Sequence, residues 1–237
     1  MLACLASLAL LASFAPTATT AFAHPHPNLH PSFLTSDGKT TIRFDFAGAP
    51  DLQQWGETQV APALQEWYPK IVALLPSPGF HPSKTINISF QETMNAVAVT
   101  GGNQITANAS YFRTHPDDVN ALVHEATHIV QAYPSDGGPS WLVEGLDDYI
   151  RFYIVEPHTH GAHIPPSRAP LVHYNDSYRT TANFLHWVVK QTDPSIIVKL
   201  NEAMRKGTYT DRVWKKLTGK SLAQLGDEWK LSLLTPK

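Results

Sequence analysis

Cysteine is almost absent from this sequence, and charged residues are scarce. One cysteine, Cys4, occurs among 237 residues, and charged residues make up 16% of the chain against 43% for hydrophobic residues. This balance argues against a disordered chain, a coiled coil or a polyelectrolyte. The formal net charge of −2 leaves no basic surplus to neutralise phosphates, so we expect no nucleic acid partner. The composition is that of a folded domain with a hydrophobic core.

The N-terminal apolar run is too short for a membrane span. Residues 1–23 carry no charge, Pro16 interrupts their apolar stretch, and Ala21–Ala23 matches an A-x-A cleavage site. These features predict a secretory signal peptide rather than an anchor. We therefore expect a secreted protein, extracellular or periplasmic, that has no membrane association after cleavage. Cys4 would be removed, so residues 24–237 must be stable without a disulfide, and they are numerous enough to bury a core.

Strands are predicted in the first half of the chain and helices in the second. A Pro- and His-rich extended arm is expected over 24–39, and alternating or β-branched segments predict strands over 40–46, 85–91, 96–100 and 104–109. Helical periodicity predicts helices over 51–75, 117–133, 139–155, 178–191, 194–206, 211–217 and 221–233. A loop over 156–177 separates the two groups of helices. Strands first and helices later predict one α+β domain over 24–237.

An H-E-x-x-H pattern lies in the helix predicted over 117–133. His124 and His128 are four residues apart and project from one face of a helix, a spacing at which two imidazoles can bind one Zn²⁺. Glu125 points aside, where it can reach a water molecule beside the metal. The apolar neighbours of these residues indicate a buried helix, in which polar side chains need partners. The pattern predicts a zinc site with Glu125 as the general base.

A third ligand is expected on the next helix. Glu144 follows His128 by sixteen residues, on a helix that returns beside the first. Two histidines, one carboxylate and one open position make up a catalytic zinc site. Asp148, one turn further, can accept the second ring N–H of a ligand histidine and fix its tautomer. Asp147 and Asp148 stay open as alternative third ligands, and Asp147 could equally be a solvated residue.

Three segments together resemble a known family. HEATHIVQ, WLVEGLDDYIR and SYRTTANFLHWV, with NAVAVTGGNQITANASYF before them and GKSLAQLGDEW at the end, are similar to the basic secretory protein family, the peptidases of plants and bacteria. The resemblance spans roughly residues 40–230. It implies a zincin-like fold of the Glu-ligand type: a small twisted sheet over the HExxH helix and a mainly helical C-terminal half. By this analogy a strand within 95–109 forms the edge of the cleft, where an extended peptide can add as a further strand.

The resemblance and the chemistry together imply a zinc peptidase acting on peptides or proteins. We expect a monomeric endopeptidase or a related amide hydrolase. Zinc activates the water, Glu125 moves its proton, and the carbonyl oxygen needs a donor besides the metal. Tyr178, at the start of the helix after the long loop, is the first candidate for that donor. His173 and Tyr174 are alternatives. Gln131 is either a partner of the site or ordinary polar packing.

Two alternative interpretations of the sequence assign the protein to other functional classes. The first is a zincin-fold binding protein in which the zinc is structural. The second is copper binding through His24, which would become the N-terminal residue after cleavage. The histidines of the loop, His158, His160 and His163, could form a second metal site, although a polar loop favours solvated side chains.

Overall fold

The structure is a computed structural model that describes residues 29–234. The signal peptide predicted over residues 1–23 and His24, the alternative copper ligand, lie outside the described residues. No helix within 29–234 is long and apolar enough to cross a membrane.

A five-stranded sheet occupies the first part of the described chain. Its strands are β1 (Ser32–Leu34), β2 (Thr41–Asp45), β3 (Thr85–Gln91), β4 (Ala98–Gly101) and β5 (Gln104–Asn108). They lie in the order β1-β2-β3-β5-β4, with the inner three parallel and the two outer strands antiparallel to their neighbours. Every second residue of the inner strands is buried, including Ile86, Ile88 and Phe90. The alternation therefore gives the sheet one core-facing side.

The four predicted strands are confirmed, with ends that shift by at most two residues. The hairpin predicted at Gly101-Gly102 joins β4 to β5, and Gly102 has the positive φ of 61° that such a turn requires. The sequence did not predict β1, which lies within the arm expected over 24–39. β1 has only three residues, so it shows no alternation of its own and depends on pairing with β2.

Nine α-helices lie within residues 29–234. They are α1 (Gln53–Trp55), α2 (Ala61–Leu74), α3 (Ala109–Thr114), α4 (Asn120–Gln131), α5 (Ser140–Ile150), α6 (Tyr178–Gln191), α7 (Ser195–Arg205), α8 (Arg212–Thr218) and α9 (Leu222–Leu234). Wider π-type turns over Gly56–Val60 and Arg151–Val155 continue the helical path after α1 and α5. The predicted helices are thus confirmed, and α3 is an addition. Its sequence signal is Asn108, whose side chain caps the helix by accepting the N–H of Tyr111.

The helices form two groups around a continuous core. α2 and α4 pack together, α2 also contacts β1 and β2, and α4 contacts β4 and β5. α5 lies beside α4 and packs closely along α6, so the second half of the molecule is mainly helical. The fold is a mixed α+β arrangement in which α4 lies between the sheet and the helical half.

Candidate metal centre

Helix α4 carries the three residues of the H-E-x-x-H pattern. His124 and Glu125 are 7% and 9% exposed, and the rings of His124 and His128 lie 5.1 Å apart at 85° to one another. The helix ends at Gln131, and the left-handed backbone of the next residue, Ala132, turns the chain toward α5. Two imidazoles and a carboxylate on a buried helix need partners, and α5 supplies those of the two histidines.

Glu144 on α5 faces both imidazoles. Its Oε2 lies 3.3 Å from Nε2 of His124 and 3.5 Å from Nε2 of His128. Among residues 29–234, ligand atoms of His124, His128, Glu144 and Asp147 lie within 4.8 Å of one another. Two nitrogens and one oxygen therefore converge on a common point from two helices.

The opposite nitrogen of each imidazole meets a different aspartate. Nδ1 of His124 lies 2.8 Å from Oδ1 of Asp148. Nδ1 of His128 lies 2.9 Å from Oδ2 of Asp147 and 3.1 Å from Oε1 of Gln131. Both aspartates thus lie across a ring from Glu144. The structure brings these residues together, and their roles in metal binding stay predictions.

The sequence did not predict that Asp147 lies against Nδ1 of His128. Its side chain is fully buried, and the 2.9 Å approach to His128 lacks hydrogen-bond geometry, so neither carboxylate oxygen has a hydrogen-bond partner. The sequence did contain an indication of this position. Asp147 follows Glu144 by three residues along α5, which places both residues on the side of the helix that faces α4. Gln131 has a double role, since its Nε2 donates to the carbonyl oxygen of Val143 on α5.

The charges of the cluster are strongly coupled. Burial disfavours ionisation of Glu144, but His124 and His128 outweigh burial and lower its pKa to about 2. Burial likewise disfavours protonation of the two histidines, and the surrounding carboxylates outweigh it and raise both pKa values. Burial raises the pKa of Asp147 to about 6. Without a metal, protons on the imidazoles offset the charge of the buried carboxylates. The site therefore stabilises a positive charge placed between these residues.

Glu125 is held from the edge strand. The hydroxyl of Thr100 in β4 lies 2.6 Å from Oε2 of Glu125 and 3.0 Å from its backbone oxygen. Sequence reasoning missed Thr100, because nothing local to a strand residue indicates a contact 25 positions away. The contact fixes the Glu125 carboxylate between α4 and the edge strand β4.

A cleft of about 1420 Å³ runs along this edge, and Tyr178 lines it. Tyr178 is 54% exposed, and its ring lies 6.2 Å from that of His124. Tyr174 instead packs against Trp141 and Phe184, and exposed His173 has Nδ1 at 3.7 Å from Asp176. Tyr178 is therefore the one of the three candidates whose side chain neighbours a histidine of the cluster.

The loop histidines do not gather into a second centre. His158, His160 and His163 are exposed. Within residues 29–234, the grouping of potential metal ligands is the one on α4 and α5.

The chain belongs to a peptidase family. The family model described as "Peptidase of plants and bacteria" matches residues 45–229, most of the chain. The matched range includes β3, β4 and β5, the α4–α5 cluster and α6.

A solved structure has a similar fold. It is that of an M1 zinc metallopeptidase from Deinococcus radiodurans, a mutant bound to a Tyr-Ser-Ala substrate, with a TM-score of 0.53 and 14% sequence identity. The match covers 88% of this chain and 52% of the other, so this chain spans about half the length of that protein. At this identity the similarity shows the fold alone. No curated protein matches the sequence of this chain.

Proposed function

We propose that this chain is a secreted zinc peptidase of the zincin type, in which His124, His128 and Glu144 bind the metal. The observation that carries the proposal is the approach of one Glu144 oxygen to both Nε2 atoms, at 3.3 and 3.5 Å. Ligand atoms about 2.1 Å from a tetrahedral zinc ion are separated by about 3.4 Å. The donors fit zinc in type and spacing, and three protein ligands leave a fourth position open.

Asp147 and Asp148 fit this proposal as positioning residues rather than ligands. Each faces the Nδ1 of a histidine whose Nε2 points to Glu144. A carboxylate behind a ligand imidazole fixes the tautomer and the ring orientation, and it makes the imidazole a stronger donor. Asp148 would do this for His124, to which it is hydrogen-bonded. Nδ1 of His128 has its hydrogen-bond partner in Oε1 of Gln131, and Asp147 would act on His128 through its charge at 2.9 Å.

The reaction we propose is hydrolysis of a peptide bond. A bound zinc ion would supply a Lewis acid for the carbonyl and would lower the pKa of a water molecule. Glu125, held by the Thr100 hydroxyl at 2.6 Å, would accept the proton of the attacking water and pass it to the leaving amine. Tyr178 would donate to the carbonyl oxygen. Burial, then Glu144 and Glu125, raise the pKa of Tyr178, which keeps its phenol protonated for that role.

A peptide substrate suits the cleft. Its volume of about 1420 Å³ exceeds the ~300–1,000 Å³ of small-molecule pockets, and β4 lines it with a sheet edge to which an extended segment can add. The Deinococcus metallopeptidase was solved with a tripeptide substrate, which supports the same class. We further propose a monomeric endopeptidase, secreted through the signal peptide predicted over residues 1–23.

Glu125→Gln tests the function because it keeps the size of the side chain and removes the base. We expect it to fold, to bind about one zinc per chain as wild type does, and to lose at least ~10²-fold in turnover of a quenched peptide library. Metal content is measured by mass spectrometry. Full activity of Glu125→Gln would contradict the mechanism. A zinc-loaded wild type that cleaves neither peptides nor intact proteins would favour the binding protein with structural zinc.

A further inference from the structure

Two guanidinium groups meet one buried ring beside the metal centre. Phe152 is 4% exposed, and the Cζ atoms of Arg151 and Arg179 lie 4.7 and 4.6 Å from its ring centroid. All three residues line the cleft that contains His124 and Glu125. Cation–π contacts of this kind hold a guanidinium group in place without using its N–H donors.

Arg151 uses its donors within the protein. Its Nε donates to Glu156 at 2.7 Å, and a terminal nitrogen donates to Asp118. Asp118 also accepts the hydroxyl of Tyr111 at 2.6 Å, and Glu156 accepts from Asn120 at 2.7 Å. Two carboxylates thus hold Arg151 in place, and this network is a structural support of the cleft wall.

Arg179 differs from Arg151 because it forms no ion pair. Among the side chains of residues 29–234, no carboxylate lies within ion-pair distance of its guanidinium group. Asp176, three residues earlier, pairs with His173 instead. Arg179 therefore presents to the cleft a guanidinium group that has no ion-pair partner among the described residues and that lies against Phe152. Its planar fork of N–H groups matches a carboxylate in a bidentate arrangement.

The position of Arg179 links this charge to the proposed reaction. It follows Tyr178, whose ring lies 6.2 Å from that of His124. Phe152, against which the guanidinium group lies, follows Asp148 by four residues, and Asp148 contacts His124 at 2.8 Å. A group bound to Arg179 would therefore belong to a substrate residue close to the bond that is cleaved.

We propose that Arg179 binds a carboxylate of the peptide substrate near the scissile bond. The carboxylate is an Asp or Glu side chain or the C-terminal carboxylate of the peptide. This inference rests on the proposed peptidase function, and it names acidic peptides as the preferred substrate class.

The test compares matched peptides on the zinc-loaded full chain. A bond cleaved in a neutral peptide is first mapped, and each flanking position is then changed to Glu, Gln or Lys, with the C-terminus free or amidated. We expect one carboxylate position to raise kcat/KM by about 10-fold over its neutral counterpart, the scale of a charge-assisted hydrogen bond. Arg179→Met should bring this ratio close to one, and Arg179→Glu should favour Lys at the same position. Arg212→Met, an exposed arginine on α8, should keep the wild-type ratio.

The two arms of the peptide set separate the sources of the carboxylate. A gain with Glu identifies a side chain, and a gain with the free acid over the amide identifies the C-terminus. Wild-type protein without any carboxylate preference would overturn the proposal. An equal loss by Arg179→Met on every peptide would also overturn it, because it would indicate a structural role.

Binding to zinc-loaded Glu125→Gln keeps this test independent of turnover. The same peptides are titrated by calorimetry against Glu125→Gln with and without Arg179→Met. If binding favours a carboxylate through Arg179 but the wild type cleaves no substrate, the result supports the carboxylate subsite and contradicts the peptidase function. If the wild type cleaves peptides but neither assay shows a carboxylate preference, the result supports the peptidase function and contradicts the subsite.

Discussion

At the scale of single residues, the site assigns one carboxylate to each imidazole. Asp148 meets Nδ1 of His124 at 2.8 Å, and Asp147 meets Nδ1 of His128 at 2.9 Å. The two aspartates are adjacent in sequence, yet both are almost completely buried. Burial of two carboxylates is unfavourable unless they face positive charge, so their presence is best explained by the histidines.

Asp148→Asn should weaken zinc binding without removing it. The substitution keeps the shape and removes the charge that polarises His124, and loss of such a partner typically costs about 10–100-fold in metal affinity. Affinity is measured by competition with a chromogenic chelator. Asp136→Asn, at an exposed position, is the control. Equal affinities of the two variants would show that Asp148 has no part in metal binding.

The sequence could predict the candidates on α4 and α5 but not the contacts that hold them. His124, His128 and Glu144 follow from spacing along helices, which is a local property. Thr100 reaches Glu125 from a strand, and that contact depends on how β4 is placed beside α4. The hydrophobic periodicity of a sequence does not indicate how a strand packs against a helix, so the Thr100 contact could be found only in the folded structure.

At the scale of elements, the close approach of α5 and α6 explains a glycine beside a proposed ligand. A Cβ atom at Gly145 would lie 2.1 Å from Cγ2 and 2.4 Å from Cβ of Thr181 on α6. Thr181 is fully buried and its hydroxyl donates to the carbonyl oxygen of Tyr174 at 2.7 Å, so it has little room to move. The glycine therefore lets α6, with Tyr178 at its start, dock directly on the helix that carries Glu144.

Gly145→Ala should destabilise the protein although alanine favours helices. The gain in helix propensity is at most about 1 kcal/mol, whereas overpacking a buried contact costs about 1–3 kcal/mol. We expect a net loss in the free energy of unfolding, measured by denaturant titration of the zinc-free protein. At Gly101 a Cβ would meet nothing within 4 Å, so Gly101→Ala is the control. A Gly145→Ala variant more stable than wild type would contradict the packing argument.

Short elements mark the limit of what local patterns predict. The strands and helices with several alternating or periodic residues were predicted within a few positions. β1 and α3 were not, because a three-residue strand and a six-residue helix carry too few residues for periodicity. β1 is instead specified by its pairing with β2, and α3 by the Asn108 cap.

At the scale of the whole molecule, side chains from the helical half supply hydrogen bonds to the ends of helices that pack on the sheet. Arg205 on α7 donates to the carbonyl oxygens of Leu75, Val130 and Gln131, at 2.8 to 3.1 Å. These carbonyls lie at the C-terminal ends of α2 and α4 and lack partners within their own helices. Glu144 joins α5 to α4 through the imidazoles of His124 and His128. A metal held by both helices should therefore add to the stability of the entire fold.

The stabilisation by zinc should grow as the pH rises. In the metal-free protein, burial opposes protonation of His124 and His128, but the carboxylates outweigh it and raise both pKa values above 6.5. Their contribution to stability is present below pH 6.5 and is lost as the pH rises through the folded pKa values. The lowered pKa of Glu144 acts only in acid, where its contribution is lost as the pH falls from 4.5 towards about 2. Zinc requires neutral imidazoles, so protons compete with the metal at the lower pH.

Thermal unfolding with zinc and with a chelator, at pH 5.5 and pH 8, measures this competition. We expect the difference in Tm between zinc-loaded and metal-free protein to be larger at pH 8. Each tenfold gain in affinity adds about 1.4 kcal/mol, or roughly 3–6 °C in a chain of this size. His124→Ala should show little difference at either pH. A difference in Tm that is constant or shrinks towards pH 8 would mean that the metal does not displace protons from these histidines, and the ligand assignment would fail with it.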